Sequence, residues 1–327
     1  MNYIFTNEEP TRTENTEEKY ILRTEQLLRR AAKELDVPGK EIDILQFAVW
    51  LSEKRTTLAR TAWRQYKSAA IYYCTQHPDL ETAAEAADYL KGLDCQGCLT
   101  KTDRTSGSKL KKISLEDWQT LDSWLKGKNR KWFDALRPWL RAAIVTGLRP
   151  VEWKTAKLTQ HEGEPALIIE NAKNTNGRAH GPTRTLILKE LHPEDLISIK
   201  KHINNVSTFV GMGDDSYDYF YRGCAIALYK VCRKIWPRRR KHITLYSTRH
   251  QFSANAKSTG FSKSEVAAMM GHAVDITATV HYGRKTAGNE TVGIQPLEEE
   301  VGRIKNTPTT DYEALFKVKK DSEQPAN

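Results

Sequence analysis

Two arginines stand a hundred residues apart, Arg149 in TGLRPVE and Arg249 in YSTRHQFSA, and GHAVDITATVHYG follows with His272 near its start and Tyr282 near its end. A guanidinium stays charged at every accessible pH and presents a planar fork of donors matched to phosphate oxygens. Two of them can therefore neutralise charge building on a pentavalent phosphorane. A phenol can serve as the nucleophile. Two guanidiniums, an imidazole and a late tyrosine are together what the cutting of a phosphodiester needs when no metal takes part. No clustered carboxylates mark a metal site, so neither a metal nor another cofactor is expected. An arginine at a helix end would ordinarily pair with a carboxylate or cap the helix. Gly147 before Arg149 and Glu152 after it favour phosphate contact instead.

The elements that must hold these groups can be read from apolar spacing. Leu136, Leu140, Ile144 and Leu148 recur every four residues, which predicts a long buried helix over 132–148, stopped by Pro150 through its missing amide proton. The strand-like stretches AKLTQ, PALIIE and TRTLIL follow, the last two joined by the polar loop NAKNTNGRAHGP. They read as a small antiparallel sheet with Lys173 on its hairpin, where Arg178 and Arg184 are the competing basic residues. Ala225, Leu228, Cys232 and Ile235 mark another helix, followed by a basic cluster containing Arg238, Arg239 and Arg240. Ser114 with Asp117, and Ser262 with Glu265, have capping-box spacing. Residues 309–319, after Pro308, read as a terminal helix with Leu315 and Phe316 as its apolar points.

The first third of the chain is helical in pattern, with breaks at 37–39, 55–57 and 77–79. Leu58, Ala62, Tyr66, Ala69 and Tyr73 define one buried stripe. Arg60, Trp63, Arg64 and Lys67 share another face, either a solvated surface or a set of phosphate contacts. The stretch CLTKTDRTSGSKLKK, ending in Lys111 and Lys112, is poor in large apolar residues and reads as a basic linker able to follow a DNA backbone. The expected organisation is a mobile segment over 1–18, a helical domain over 19–97, the linker over 98–113, a second domain over 114–305 and a tail over 306–327.

The second domain resembles the catalytic domain of the tyrosine recombinase (phage integrase) family. The resemblance rests on the buried helix ending in TGLRPVE, on YSTRHQFSA where the family typically has HxLRHxxA, and on the GH pair followed by a tyrosine. The helical segment before it matches the family's core-binding domain in position and size alone. The fold this implies is mainly α with a small antiparallel β-sheet, a helical core-binding domain preceding a mixed α/β catalytic domain. The implied activity is site-specific DNA breakage and rejoining through a 3′-phosphotyrosyl intermediate, independent of metal and ATP. Tyr282 would be the nucleophile, Arg149 and Arg249 the phosphorane clamp, Lys173 the general acid, His272 a further catalytic group and Glu152 an orienting carboxylate. The DNA contacts expected are Arg60, Trp63, Arg64, Lys67, Lys111, Lys112, Arg238, Arg239 and Arg240. His250 either joins the site or braces the fold.

Two departures from the family pattern are visible. Tyr246 stands where the second box usually begins with histidine, and a phenol with a pKa of about 10 donates a hydrogen bond but is a poor base near neutrality. The interval from His272 to Tyr282 is one residue longer than usual. The resemblance further implies a double-stranded DNA site, a homotetramer on two such sites, an accessory protein as a further partner, and a mobile-element role in cointegrate resolution or in integration and excision. The terminal helix would dock on a neighbouring protomer or fold back on its own. A type IB topoisomerase-like relaxing enzyme and a DNA-binding regulator without cleavage are the alternatives.

Composition agrees with a DNA partner without demanding one. The 327 residues hold 51 lysines and arginines against 41 aspartates and glutamates, a formal charge of +10. The polar, acidic opening is unlike a signal peptide and no long apolar run is present, so a cytoplasmic, nucleoid-associated protein with no membrane partner is expected. Cys74, Cys95, Cys98, Cys224 and Cys232 are expected as free thiols; the lone CxxC at Cys95 and Cys98 has no second pair to complete a zinc site.

Overall fold

The computed structural model describes residues 13–37, 42–99, 109–128, 130–172, 174 and 178–307. The chain is mainly helical with one small antiparallel sheet, and it divides into two compact units, Met1–Arg104 and Thr105–Asn327.

The first unit contains α1 (Glu14–Glu34), α2 (Ile44–Glu53), a 3-10 turn (Lys54–Thr57), α3 (Arg60–Gln76) and α4 (Ala83–Gly92). Helix α1 opens at Glu14, so residues 14–18, expected to be mobile, are helical. Asp43 caps α2 by accepting from the Gln46 amide at 2.9 Å, and its other oxygen accepts from the Thr82 hydroxyl at 2.7 Å. The buried face of α3 differs from the expected stripe. Trp63, Ala69, Ala70, Tyr72 and Cys74 are buried, whereas Leu58, Ala62, Tyr66 and Tyr73 are only half-buried. Helix α3 packs against both α1 and α4, so it buries more than one face, and its largest apolar side chain, Trp63, goes to the middle.

The second unit opens with α5 (Leu115–Leu125) and α6 (Phe133–Thr146), followed by a 3-10 turn (Pro150–Lys154) and strands β1 (Lys157–His161), β2 (Glu164–Glu170) and β3 (Thr183–Ile187). Then come α7 (Pro193–Val210), α8 (Asp214–Ile235), α9 (Ser247–Thr259), α10 (Lys263–Met269), α11 (Ile276–His281), β4 (Gln295–Pro296) and α12 (Glu298–Gly302). The sheet runs β1-β2-β3-β4, antiparallel throughout, with Leu167 opposite Leu186 on the core side. The two-residue β4 is too short to show an alternating pattern in sequence.

Helix α6 ends earlier than expected. Its stop is Gly147, in the left-handed region at φ 67°, where an added Cβ would run into the Phe252 ring of α9. Pro150 instead begins the 3-10 turn, where a missing amide proton costs nothing. This close approach sets α6 directly against α9 and so places the two arginine signatures side by side. The Ser262–Glu265 capping box is formed, with bonds of 3.2 and 2.7 Å. Ser114 caps α5 through the Asp117 amide at 3.1 Å, but the Asp117 carboxylate turns away to Arg239. His202 is fully buried, stacked on Trp139 at 4.7 Å and edge-on to Trp153 at 4.6 Å; burial pushes its imidazole down to about 3. The expected helix over 309–319 lies outside the described residues.

Candidate active site

Glu152, in the turn after α6, binds guanidiniums from three separate segments. Its Oε1 accepts from Arg149 Nη1 at 2.5 Å, and its Oε2 accepts from the Arg149 amide at 2.7 Å and from Arg184 Nη2 at 2.7 Å. Arg249 Nη1 lies 3.8 Å from the same Oε2. The side chains of Glu152, Arg184 and Arg249 are all 0 % exposed. Burial raises the carboxyl pKa, but the charges of Arg184, Arg249 and Arg149 outweigh it and hold Glu152 far below the usual carboxylate range. It is ionised and has no proton to transfer. Three guanidiniums against one carboxylate leave excess positive charge out of water, where an anion is strongly attracted.

Arg184 is a member of this cluster that sequence reasoning treated only as a competitor for Lys173. It points inward from β3, with Nη1 on Asn171 Oδ1 at 2.5 Å and Nε on the Met269 carbonyl at 3.0 Å. The available signal was strand parity: in TRTLIL, Arg184 shares a face with the buried Leu186, and a buried arginine requires a carboxylate.

Arg249 is held in place by carbonyls. Nη1 donates to Gly147 O at 2.5 Å, Nη2 to Met270 O at 2.6 Å and to His272 Nε2 at 3.1 Å, and Nε reaches the Tyr282 oxygen at 3.4 Å. Because Nε2 of His272 accepts, its proton sits on Nδ1. Burial, reinforced by the charges of Arg249, Arg149 and Arg184, holds this imidazole well below its ordinary pKa, so it is neutral. Gly271 before it has φ 64°, and an added Cβ there would strike the Asn171 side chain.

Tyr282 follows α11 in extended conformation and its hydroxyl lies 2.9 Å from that of Tyr246, the residue that caps α9. Burial pushes Tyr246 up to about 12. Burial also pushes Tyr282 up, yet the Arg249 charge and the hydrogen bond from Tyr246 prevail and its pKa falls below the ordinary value. Tyr282 is the more readily ionised phenol of the two, and once ionised its oxygen accepts from the Tyr246 hydroxyl. His250 lies against both rings, 5.6 Å from Tyr246 and 5.0 Å from Tyr282. Burial and the charges of Lys111, Arg249 and Lys257 bring it down to about 4.

Arg149, Arg249, Glu152, Tyr246, His272 and Tyr282 thus form one connected network. Lys173 lies outside the described residues. Of the expected DNA contacts, Arg60, Arg64, Lys111, Lys112, Arg238, Arg239 and Arg240 are exposed. Trp63 is not: it is 0 % exposed and donates its indole N–H to the Asp94 carbonyl at 2.7 Å, so it belongs to the core. Its apparent place on the basic face came from counting three residues from Arg60, which does not reveal that α4 covers that side. Lys67 is half-buried and donates to the Leu93 carbonyl at 2.6 Å. Arg239 is tied to Asp117 by two 2.8 Å contacts and lies 4.4 Å above the Trp236 ring, which fixes it within its own unit. The five cysteines are free. Among the described residues no group of three or more His, Cys, Asp or Glu is arranged to hold a metal ion, and no helix is long and apolar enough to cross a membrane.

No protein-family model matches the chain, and no curated protein matches it. Solved structures do. The Tn1549 transposon integrase, in complex with circular intermediate DNA, is 14% identical with a TM-score of 0.50, over 84% of this chain and 90% of that one. A lambda integrase dimer bound to a COC' core site is 14% identical with a TM-score of 0.48, over 86% of this chain and 75% of that one. The chain has the fold of the tyrosine recombinase integrases.

Proposed function

We propose that this protein is a site-specific DNA recombinase in which Tyr282 breaks and rejoins DNA strands. The observation that carries the reading is the Arg249–Tyr282 contact in front of the Glu152 cluster: the most acidic phenol of the site touches a guanidinium embedded in excess positive charge. The Tyr282 oxygen forms a bond to the scissile phosphorus, its proton passing to water, and the bond from phosphorus to the 5′ oxygen breaks. Arg149 and Arg249 balance the charge of the phosphorane, with Arg184 and Glu152 keeping them in register. Tyr246 hydrogen-bonds the reacting oxygen, neutral His272 holds the Arg249 guanidinium beside it, and Lys173 supplies the proton to the departing 5′ oxygen. The 3′-phosphotyrosyl link retains the energy of the original ester, so attack by a second 5′ hydroxyl reseals the strand without ATP.

The first unit serves as the core-DNA-binding domain and residues 98–113 as the linker. Exposed Arg60, Arg64, Lys111, Lys112, Arg238 and Arg240 are the backbone contacts. Four cleavages at two sites call for a homotetramer on two duplexes, working with or without an accessory protein in the cytoplasm on the nucleoid. The Tn1549 integrase of like fold was solved on circular intermediate DNA, in line with a mobile-element role in excision, integration or cointegrate resolution.

The test is covalent trapping on nicked suicide duplexes tiled across the DNA flanking the protein's own gene. An SDS-stable, protease-sensitive adduct that disappears in Tyr282→Phe is expected. An adduct that persists in Tyr282→Phe refutes the nucleophile, and bound DNA that never yields an adduct points to a regulator. Relaxation of supercoils with no exchange between two marked sites would mean a topoisomerase.

A further inference from the structure

Helix α9 does more than present Arg249. Four further side chains along it grip the segment that carries Tyr282. Along α9, Gln251 Nε2 donates to the Ala287 carbonyl at 2.8 Å, and one turn on Asn255 Oδ1 accepts from the Asn289 amide at 3.1 Å. Ser258 lies so close to Gly288 that a Cβ there has no room, and Gly283 is similarly pressed onto the His250 carbonyl and the Ala254 methyl. Lys257 makes the contact nearest the nucleophile. Its Nζ donates to the Ala278 carbonyl at 2.8 Å and to the Gly283 carbonyl at 2.7 Å.

Those two carbonyls bracket Tyr282. Ala278 O also accepts the Tyr282 amide at 3.2 Å, the last hydrogen bond of α11, so the ammonium and the tyrosine amide share one acceptor. Gly283 O is the first carbonyl beyond the nucleophile, where the chain has left the helix and no backbone partner is available from α11. A single charged donor thus closes the C-terminal end of α11 onto α9 from both sides of Tyr282. The ammonium is placed where a helix C-terminus favours positive charge. Its stem passes through the protein beside a cavity of about 1030 Å³ that is also lined by Phe261, Val266 and Tyr282. Burial brings Lys257 down to about 8, which leaves it mostly protonated near neutrality and able to donate to both carbonyls.

We infer that Lys257 is a positioning residue: it clasps the Tyr282 segment to α9 and so sets the tyrosine oxygen against Arg249 of the same chain. The inference deepens the proposed function and rests on it for its catalytic consequence, while its structural content stands apart from it. The clasp explains how a short helix of six residues, followed by an extended tyrosine, holds a phenol at hydrogen-bonding distance from a guanidinium. Without Lys257, α11 retains its amide bond but loses the donor that ties both flanks of Tyr282 to the helix carrying Arg249.

The experiment compares wild type, Lys257→Met and Lys257→Arg in the full chain by amide hydrogen exchange and by the rate of adduct formation at saturating suicide duplex. Met preserves the apolar stem and removes the donor; Arg preserves a charged donor. A charged hydrogen bond contributes enough that its loss should speed exchange across 278–288 by about tenfold or more, with α6 and the N-terminal half of α9 unchanged. Adduct formation should slow by about as much with DNA affinity retained, and Lys257→Arg should recover most of both effects. Exchange across 278–288 that is unchanged in Lys257→Met overturns the clasp, as does exchange that rises equally in α6. Adduct formation that is unaffected by Lys257→Met while exchange rises overturns the positioning role. A wild-type chain that forms no adduct refutes the proposed function instead, and the exchange comparison then still decides the clasp.

Discussion

Replacing Glu152 by glutamine should loosen the centre of the second unit more than any single loss among the arginines it binds. The substitution keeps size and shape but leaves Arg184 and Arg249, both 0 % exposed, with Arg149 nearby and no carboxylate among them. Breaking a buried ion pair by removing one partner costs about 3–5 kcal/mol, because the remaining charge stays desolvated. At about 1.4 kcal/mol per decade, the lower figure is about a hundredfold in an opening equilibrium. The readout is amide hydrogen exchange of α9 and β3 under conditions where it reports the opening free energy, with α3 of the first unit as internal control. Arg184→Met should cost less, since Glu152 keeps Arg149 and Arg249 as partners. The double variant should be more stable than the sum of the two losses, because deleting Arg184 removes one of the charges that Glu152 had balanced. A change under tenfold in Glu152→Gln, an equal change in α3, or strict additivity in the double variant would refute the reasoning.

Acid should destabilise the second unit before its carboxylates titrate. His202, at about 3 in the fold against an ordinary 6.5, keeps the folded chain from taking a proton that the unfolded chain accepts; its stability contribution is complete above 6.5 and is lost as pH falls below it. At pH 5 this one residue accounts for about 2 kcal/mol, and His202→Phe should flatten the loss of stability between pH 6.5 and 4 in urea titrations. Glu152, with a depressed pKa, acts with the same sign in a lower window: its contribution is present above about 4.5 and is lost only as pH falls below that. Tyr246→Phe should raise the Tyr282 pKa, visible as a later tyrosinate absorbance step that is absent from a Tyr282→Phe control, and an unshifted step would show that the 2.9 Å contact does not bias the proton.

The residues whose chemistry comes with local punctuation were legible in sequence. Arg149 follows a long apolar helix, His272 follows a glycine, and Tyr282 is the late phenol; with the family resemblance these marks picked out residues that the structure brings into one network. The buried helix before Arg149, the three longer strands and the Ser262 capping box were legible for the same reason, being set by neighbours within a few residues. What escaped was decided by partners distant in the chain. Arg239 is part of an exposed basic run, but its pairing with Asp117 is set by a residue more than a hundred positions away. Trp63 seems to share a face with Arg60 until α1 and α4 enclose α3. Gly147 rather than Pro150 ends α6 because Phe252, more than a hundred residues later, fills the space a side chain would need. Strand parity marks Arg184 as inward-facing, but its partner Glu152 and the return of the Tyr282 segment along α9 to Lys257 are set by the fold.

Glu152 draws Arg149, Arg184 and Arg249 into one buried knot, whereas Arg60, Arg64, Arg238 and Arg240 stand in solvent. The two sets face different constraints as the sequence drifts. Loss of Glu152 strands buried guanidiniums away from water, so the knot cannot give up its carboxylate unless its arginines change with it. A change on the solvent-facing arginines disturbs no other residue's charge balance. A lineage carrying this chain can therefore change its exposed arginines one at a time, while the buried knot is passed on intact.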